Sequence, residues 1–295
     1  MRSAPPRGPV EGSTPRAISF DFGNTLCPVS DEALRTVLLD AAEHIAARSG
    51  PFALDRFVEI WREEARRQFL VNVPLGREND LAERVVRVLA RLRGMPGPPA
   101  PNGDWEHGLP LDLAAGGAPA IPAWDDDAAA RHSTPEEVAA AVRDYGDAFV
   151  AHMPVDVRAG PLLARLHGRY RLAILSNWPL AWAIDRIAER AGWTRYLDTI
   201  VVSERVGWVK PHPAIFSAVT AALGVAAGEL LHVGDDWAAD VVGAKRAGAR
   251  AAYLDVRPER SPLPRSEPDA SVEADYVLHD LVEIEAYLRK GSASV

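Results

Sequence analysis

Beyond residue 153, short apolar runs alternate with helical stretches, and this alternation constrains the fold more than any other feature. The runs are Leu172–Leu175, Thr199–Val202, Leu230–Val233, Ala251–Leu254 and Tyr276–Leu278. Helical patterns lie between and around them, at Leu162–Leu166, Leu180–Ala191, Ala214–Leu223, Ala239–Ala247 and Leu281–Leu288. Continuous apolar runs suit strands covered on both faces, and strands alternating with helices predict a parallel sheet with helices on either side. One more run, Ala17–Phe20, precedes all of these; it ends in Asp21 and turns at Gly23-Asn24.

The stretch in between reads as helical. Leu34, Val37, Leu38, Ala41 and Ile45 share one face, Ser30 can cap that helix and Gly50-Pro51 stops it. Leu54, Phe57, Val58, Trp61, Ala65 and Phe69 mark a second helix, and Leu81, Val85, Leu89 and Leu92 a third. Thr134-Pro135-Glu136-Glu137 is a capping box ahead of a face made by Val138, Val142, Tyr145 and Phe149. The expected organisation is an α/β core from 17–29 and 153–290, with an all-helical insertion at 30–152. Residues 1–16 are rich in Pro, Gly, Ser and Arg and read as a disordered tail. Residues 94–132 hold 13 Gly or Pro in 39 positions. That composition predicts a flexible surface insertion; the alternative is a loop covering a site, with Trp105 or Trp124 as its contact residue.

Composition narrows the function classes. Of the 295 residues 47% are hydrophobic and 25% charged, enough for an ordinary core, and the net charge is −8. An acidic chain without a basic run does not bind nucleic acid by phosphate neutralisation, although a local pocket can still be positive. No apolar run reaches the roughly 18 residues that a bilayer needs, and the N-terminal segment lacks the apolar stretch of a signal peptide. A single cysteine, Cys27, excludes an internal disulfide and a Cys-based zinc site. The expectation is a soluble cytoplasmic protein, its oligomeric state left open.

In an open parallel sheet, ligands sit beyond the carboxyl ends of the strands. Those ends carry Asp21, Ser176-Asn177 and Asp235-Asp236; Asp240 follows one helical turn later, and Lys210 precedes a helix. Converging carboxylates repel unless a cation joins them, and hard oxygen ligands favour Mg²⁺. Ser176, Asn177 and Lys210 are donors suited to phosphate oxygens, and the Gly23-Asn24 turn offers backbone N–H groups to the same oxygens.

The sequence Phe20-Asp21-Phe22-Gly23-Asn24-Thr25-Leu26, followed by Leu175-Ser176-Asn177, Lys210-Pro211 and His232-Val233-Gly234-Asp235 with Asp240, resembles the four motifs of the haloacid dehalogenase superfamily. The resemblance implies a Rossmann-like core, a helical cap of the C1 type enlarged by the 94–132 loop, and hydrolase chemistry. It implies that Asp21 is the nucleophile and that Ser176 and Lys210 hold the transferring group. It also implies that Asp21, Asp235 and the Gly23 carbonyl bind Mg²⁺. Asp240 would orient Lys210 or a metal-bound water, and Asp236 would be a further ligand or lie just behind the ligands. The implied reaction is phosphate removal from a small phosphorylated metabolite.

One position departs from the pattern. The family's phosphatases carry a second aspartate where this chain has Gly23; that residue protonates the leaving group, a contribution worth roughly 10²–10⁴ in rate. Water or a cap residue, among them Asp31, His132 and His152, could replace it. The superfamily's dehalogenases attack carbon without metal, lack the motif-four acid and place an aromatic residue at the Gly23 position; Asp235, Asp236 and Asp240 and the missing aromatic favour phosphoryl chemistry. A weakly catalytic binding module is the third reading. Cys27 reads as packing and His232 as a core histidine. Trp178, Trp208 and Trp237 flank three of the motifs. Trp178 and Trp237 are candidates for an aromatic wall suited to a substrate with a flat or apolar body; each could equally pack locally.

Overall fold

The computed structural model describes residues 15–98, 125–258, 260–270 and 272–292. Residues 1–14 of the expected tail, and Trp105 and Trp124 of the 94–132 stretch, lie outside the described residues; Arg16, placed in that tail, is instead ordered beside the sheet, its N–H donating to the Glu229 carbonyl at 2.9 Å and its carbonyl accepting the Arg171 N–H at 3.0 Å.

Six parallel strands form one sheet in the order β3-β2-β1-β4-β5-β6. They are β1 (Ala17–Phe20), β2 (Arg171–Ser176), β3 (Thr199–Val202), β4 (Leu230–Gly234), β5 (Arg250–Leu254) and β6 (Tyr276–Leu278). β1 is central: Phe20 stands opposite Ile174 of β2 on one side and Val233 of β4 on the other. Strand side chains alternate between the faces. Ile18, Phe20, Leu172, Ile174, Leu231 and Val233 face α6 (Ala159–Leu166), α7 (Ala181–Arg190) and α11 (Ile284–Ser292). Ala17, Ala173, Leu175, Leu230 and Tyr253 face α9 (Pro213–Leu223) and α10 (Gly243–Arg246). This is the Rossmann-like α/β core that the alternation predicts.

After β1 the chain enters α1 (Asp31–Ser49), α2 (Leu54–Asn72), α3 (Leu81–Leu92), α4 (Asp126–Ala130) and α5 (Pro135–His152), and only then returns to the sheet. The ends follow from local chemistry. Ser30 accepts the Ala33 N–H at 3.1 Å, and Gly50 ends α1 at φ 96°, a conformation that a side chain would strain. Asp80 caps α3, and the Thr134–Glu137 box opens α5. Two expectations need correction. The acidic triplet placed in a flexible insertion starts a helix instead: Asp125 caps α4, and Asp126 pairs with Arg87 at 2.9 Å. The helix expected at Ala239–Ala247 is a π-helical turn, Trp237–Val242, running into the short α10.

The aromatic side chains of the insertion join it to the sheet. Ring centroids step from Phe57 to Trp61 (5.5 Å), then to Tyr145 (4.6 Å), Phe149 (6.3 Å) and finally Trp178 just past β2 (4.8 Å). The core layer on that face of the sheet thus continues into the helices without a break. No helix among the described residues is long and apolar enough to cross a membrane.

Candidate active site

β2, β1 and β4 are neighbours, so their carboxyl ends bring Ser176, Asp21 and Asp235 side by side. The pairing of β1 with β4 runs one residue further, Asp21 N–H donating to the Val233 carbonyl at 2.8 Å, which fixes where the Asp21 side chain leaves the sheet. Lys210 arrives from the segment between α8 (Ser203–Val206) and α9. Its Nζ donates to Asp21 Oδ1 and to Asp240 Oδ1, each at 2.6 Å. One carboxylate oxygen from each of Asp21, Asp235 and Asp240 lies within 4.8 Å of the others.

Several neighbours hold this group in place. Gly234 lets Asp240 approach, because a Cβ there would lie 2.2 Å from the Asp240 carboxylate carbon. His232 Nε2 is 3.0 Å from Asp240 Oδ1 and its Nδ1 is 2.8 Å from Ser19 Oγ, while the Asp236 N–H donates to Asp240 Oδ2 at 2.9 Å. His232 is therefore the buried core histidine expected, but it is also wired into the site. Asn24 adopts φ 53°, a left-handed turn that asparagine tolerates. Its amide nitrogen donates to Asp235 Oδ2 at 3.3 Å, and its oxygen accepts the Val29 N–H at 3.1 Å.

Burial sets the electrostatics. It pushes the Asp21 carboxyl up to about 6, against the pull of Lys210, and the Asp235 carboxyl up to about 8, against Arg257. Asp240 goes the other way: burial opposes its charge, but Lys210 and His232 outweigh burial and hold the carboxyl well below the usual range. Burial also works against the Lys210 ammonium, but Asp21 and Asp240 keep its pKa above the ordinary value. Burial lowers His232 and so favours the neutral ring. Among these groups Asp21 is the carboxylate that carries a full ammonium contact while still titrating near neutrality. An all-oxygen donor set at Asp21 and Asp235 fits a hard divalent cation. The oxygens of Asp240 are already committed to Lys210, His232 and a backbone N–H.

Not every expected residue comes to this centre. Asp236 turns away: its oxygens accept the Ala239 N–H at 2.8 Å, the Ser266 N–H at 2.9 Å and the Ser266 hydroxyl at 2.7 Å, so it caps a turn and holds a loop. Trp237 packs edge-on to Tyr253 at 5.3 Å, in the core layer away from the helical insertion, and does not join Trp178 in a wall. Asn177 is adjacent but occupied, its amide clamping the Lys210 backbone at 2.7 and 3.0 Å. Ser176 is buried at the end of β2. Trp208 stacks on His212 at 3.9 Å. Asp31 pairs with Arg62 and His152 with Asp40 on the surface of the insertion, and the His132 carbonyl accepts from Arg93. Gly23 contributes backbone only; a Cβ there would lie 2.9 Å from Leu263 Cδ1. The Cys27 thiol is sealed in the core and burial raises its pKa, which leaves it protonated.

Sequence reasoning missed Arg257, whose Nε donates to Asp235 Oδ2, and Ser261, whose hydroxyl accepts from Asn24 at 3.0 Å. It also missed Glu78 of the insertion, which accepts the Ser203 hydroxyl, while Ser203 in turn accepts the Trp178 N–H at 2.9 Å.

Ribulose-1,5-bisphosphate 5-phosphatase of Halopiger xanaduensis is 31% identical over 132 residues, 44% of this chain and 52% of that protein. Phosphoserine phosphatase of Thermus thermophilus is 33% identical over 136 residues, 44% of this chain and 53% of that protein. The chain thus spans about half the length of these curated relatives. The crystal structure of a 2-haloacid dehalogenase from Pseudomonas syringae superposes with a TM-score of 0.60 at 19% identity, covering 93% of this chain and 98% of that one; it shares the fold. A family model for haloacid dehalogenase-like hydrolases matches residues 15–248, and with the motif carboxylates and Lys210 brought to one sheet edge, the chain belongs to that hydrolase family.

Proposed function

We propose that this chain is a Mg²⁺-dependent phosphatase that removes phosphate from a small phosphorylated metabolite through an aspartyl-phosphate on Asp21. The observation that carries the reading is the buried Lys210 ammonium bridging Asp21 and Asp240 beside Asp235. Phosphatase relatives support it.

Asp21 attacks phosphorus with a carboxylate oxygen, the bond from phosphorus to the ester oxygen breaks, and the alcohol leaves. Water then attacks the phosphorus of the acyl phosphate, which releases inorganic phosphate and restores the carboxylate. Lys210 and the Ser176 hydroxyl neutralise and orient the phosphoryl oxygens, and Asp240 keeps Lys210 aimed. Asp21, Asp235 and the Gly23 carbonyl would hold Mg²⁺, which supplies further charge neutralisation at the phosphoryl group. With no side chain at Gly23, the leaving oxygen takes its proton from water, and turnover is slower for it.

Trp178 stands where the insertion meets the site, and its indole N–H is buried with no partner among the described residues. This supports a substrate with a flat or apolar body that carries an acceptor. The helical insertion then acts as the cap, and the single sealed thiol suits a reducing cytoplasm. A panel of phosphate monoesters assayed for phosphate release, with Mg²⁺ and with EDTA, tests the reading; release from none of them would refute it.

A further inference from the structure

The connection from β5 to β6 folds back over the carboxyl edge of the sheet. Arg257, just past β5, donates from Nε to Asp235 Oδ2, from Nη2 to the Pro264 carbonyl at 2.9 Å and from Nη1 to the Leu263 carbonyl at 3.3 Å. One guanidinium therefore ties Asp235 to the far limb of its own loop. The same connection is anchored four more times. Ser261 meets the Asn24 amide at 3.0 Å, Ser266 Oγ meets Asp236 at 2.7 Å and the Ala238 N–H at 2.6 Å, and the Asp31 N–H donates to the Arg260 carbonyl at 2.9 Å. Leu263 occupies the space that a side chain at Gly23 would need. These anchors fall on the turn after β1, on the segment after β4 and on the start of α1.

The Arg257–Asp235 pair is nearly sealed, with 11% and 4% of the two side chains exposed. A carboxylate buried this deeply is charged only beside a cation, and the guanidinium is the cation the structure places there. Asp235 is also one of the two carboxylates placed to hold a divalent ion. A guanidinium and a divalent cation on one carboxylate repel each other, so the two compete for it.

We propose that Arg257 is the resident counter-ion of Asp235, and that a divalent cation binding at Asp21 and Asp235 displaces it and loosens the β5–β6 connection carrying Ser261, Leu263 and Ser266. The proposal rests on the metal-dependent reading above. Arg257 is a positioning residue: it acts through Asp235. Because coupling is reciprocal, loss of the guanidinium must tighten metal binding by the factor with which metal expels it.

Calorimetric titration of Mg²⁺ into the full chain, without substrate, reads this directly. Arg257→Ala should bind Mg²⁺ about tenfold more tightly than the wild type, and Arg257→Lys, which keeps the charge, should return most of the way to wild-type affinity. Hydrogen exchange at residues 260–266 should rise on adding Mg²⁺ to the wild type, and should start high and stay there in Arg257→Ala. If Arg257→Ala fails to fold, the Arg257→Lys affinity and the wild-type exchange decide. Equal or weaker Mg²⁺ binding by Arg257→Ala, unchanged exchange in the wild type, or no Mg²⁺ binding at all would overturn the proposal. Absence of phosphate release alongside the expected titrations would strike the phosphatase reading and leave the exchange standing.

Discussion

Lys210 Nζ lies 2.6 Å from Asp21 Oδ1, inside a pocket where the lysine side chain is 2% exposed. The same ammonium sits between Asp21 and Asp240, so it lowers the cost of two buried carboxylates at once. Lys210→Met should therefore destabilise the chain by about 3–5 kcal/mol in urea unfolding and reduce phosphate release at least ~100-fold. A variant that keeps full stability would show that the bridge carries no weight.

The Asp21 carboxyl makes metal-free stability depend on pH. Its pKa is raised by burial from 3.8 to about 6 in the folded chain. The folded state thus holds this proton more tightly than the unfolded state does. The resulting stabilisation is complete below about 3.8 and is lost as pH rises through about 6. In thermal melts without metal, Asp21→Asn should gain on the wild type between pH 4 and pH 6 and hold that margin above. A difference that stays flat across this window contradicts the assignment.

Trp178 and Trp237 separate by role. Each is buried, so replacing either with alanine should cost about 3–5 kcal/mol of stability. Only Trp178→Ala should raise KM, because Trp178 joins the layer shared with the helical insertion whereas Trp237 packs on Tyr253. An equal KM change in both variants would sink the distinction.

Gly23 carries no side chain, and Leu263 Cδ1 lies where one would begin. Gly23→Asp combined with Leu263→Ala should raise the phosphatase rate by up to ~10²-fold, whereas Gly23→Asp alone gains less because Leu263 must first move. Rate assays on the two variants check this, and a double variant no faster than the wild type contradicts it.

The parallel sheet and the gathering of Asp21, Ser176, Lys210, Asp235 and Asp240 were legible in the sequence, because apolar runs and the residues at their ends are local signals; the order of the strands was not. Contacts made by distant loops were not. Arg257 lies just past a strand end too, and extending the strand-end argument to β5 would have flagged it; nothing in its own neighbourhood indicates that it reaches Asp235. Trp237 shows the opposite failure. Adjacency to Asp235-Asp236 suggested a site residue, but the π-helical turn that starts at Trp237 carries its ring to the other core layer. Of the two places expected for Asp236, its carboxylate does not take the ligand's: an aspartate at a helix start caps the first N–H groups, and it does so here for Ala239, just behind the cluster.

Phosphate release by wild type and Asp21→Asn, each with Mg²⁺ and with EDTA, tests the central claim most directly. Release is expected from the wild type with Mg²⁺, none with EDTA, and none from Asp21→Asn under either condition. Turnover retained by Asp21→Asn, or metal-independent halide release from a 2-haloacid by the wild type, would contradict it.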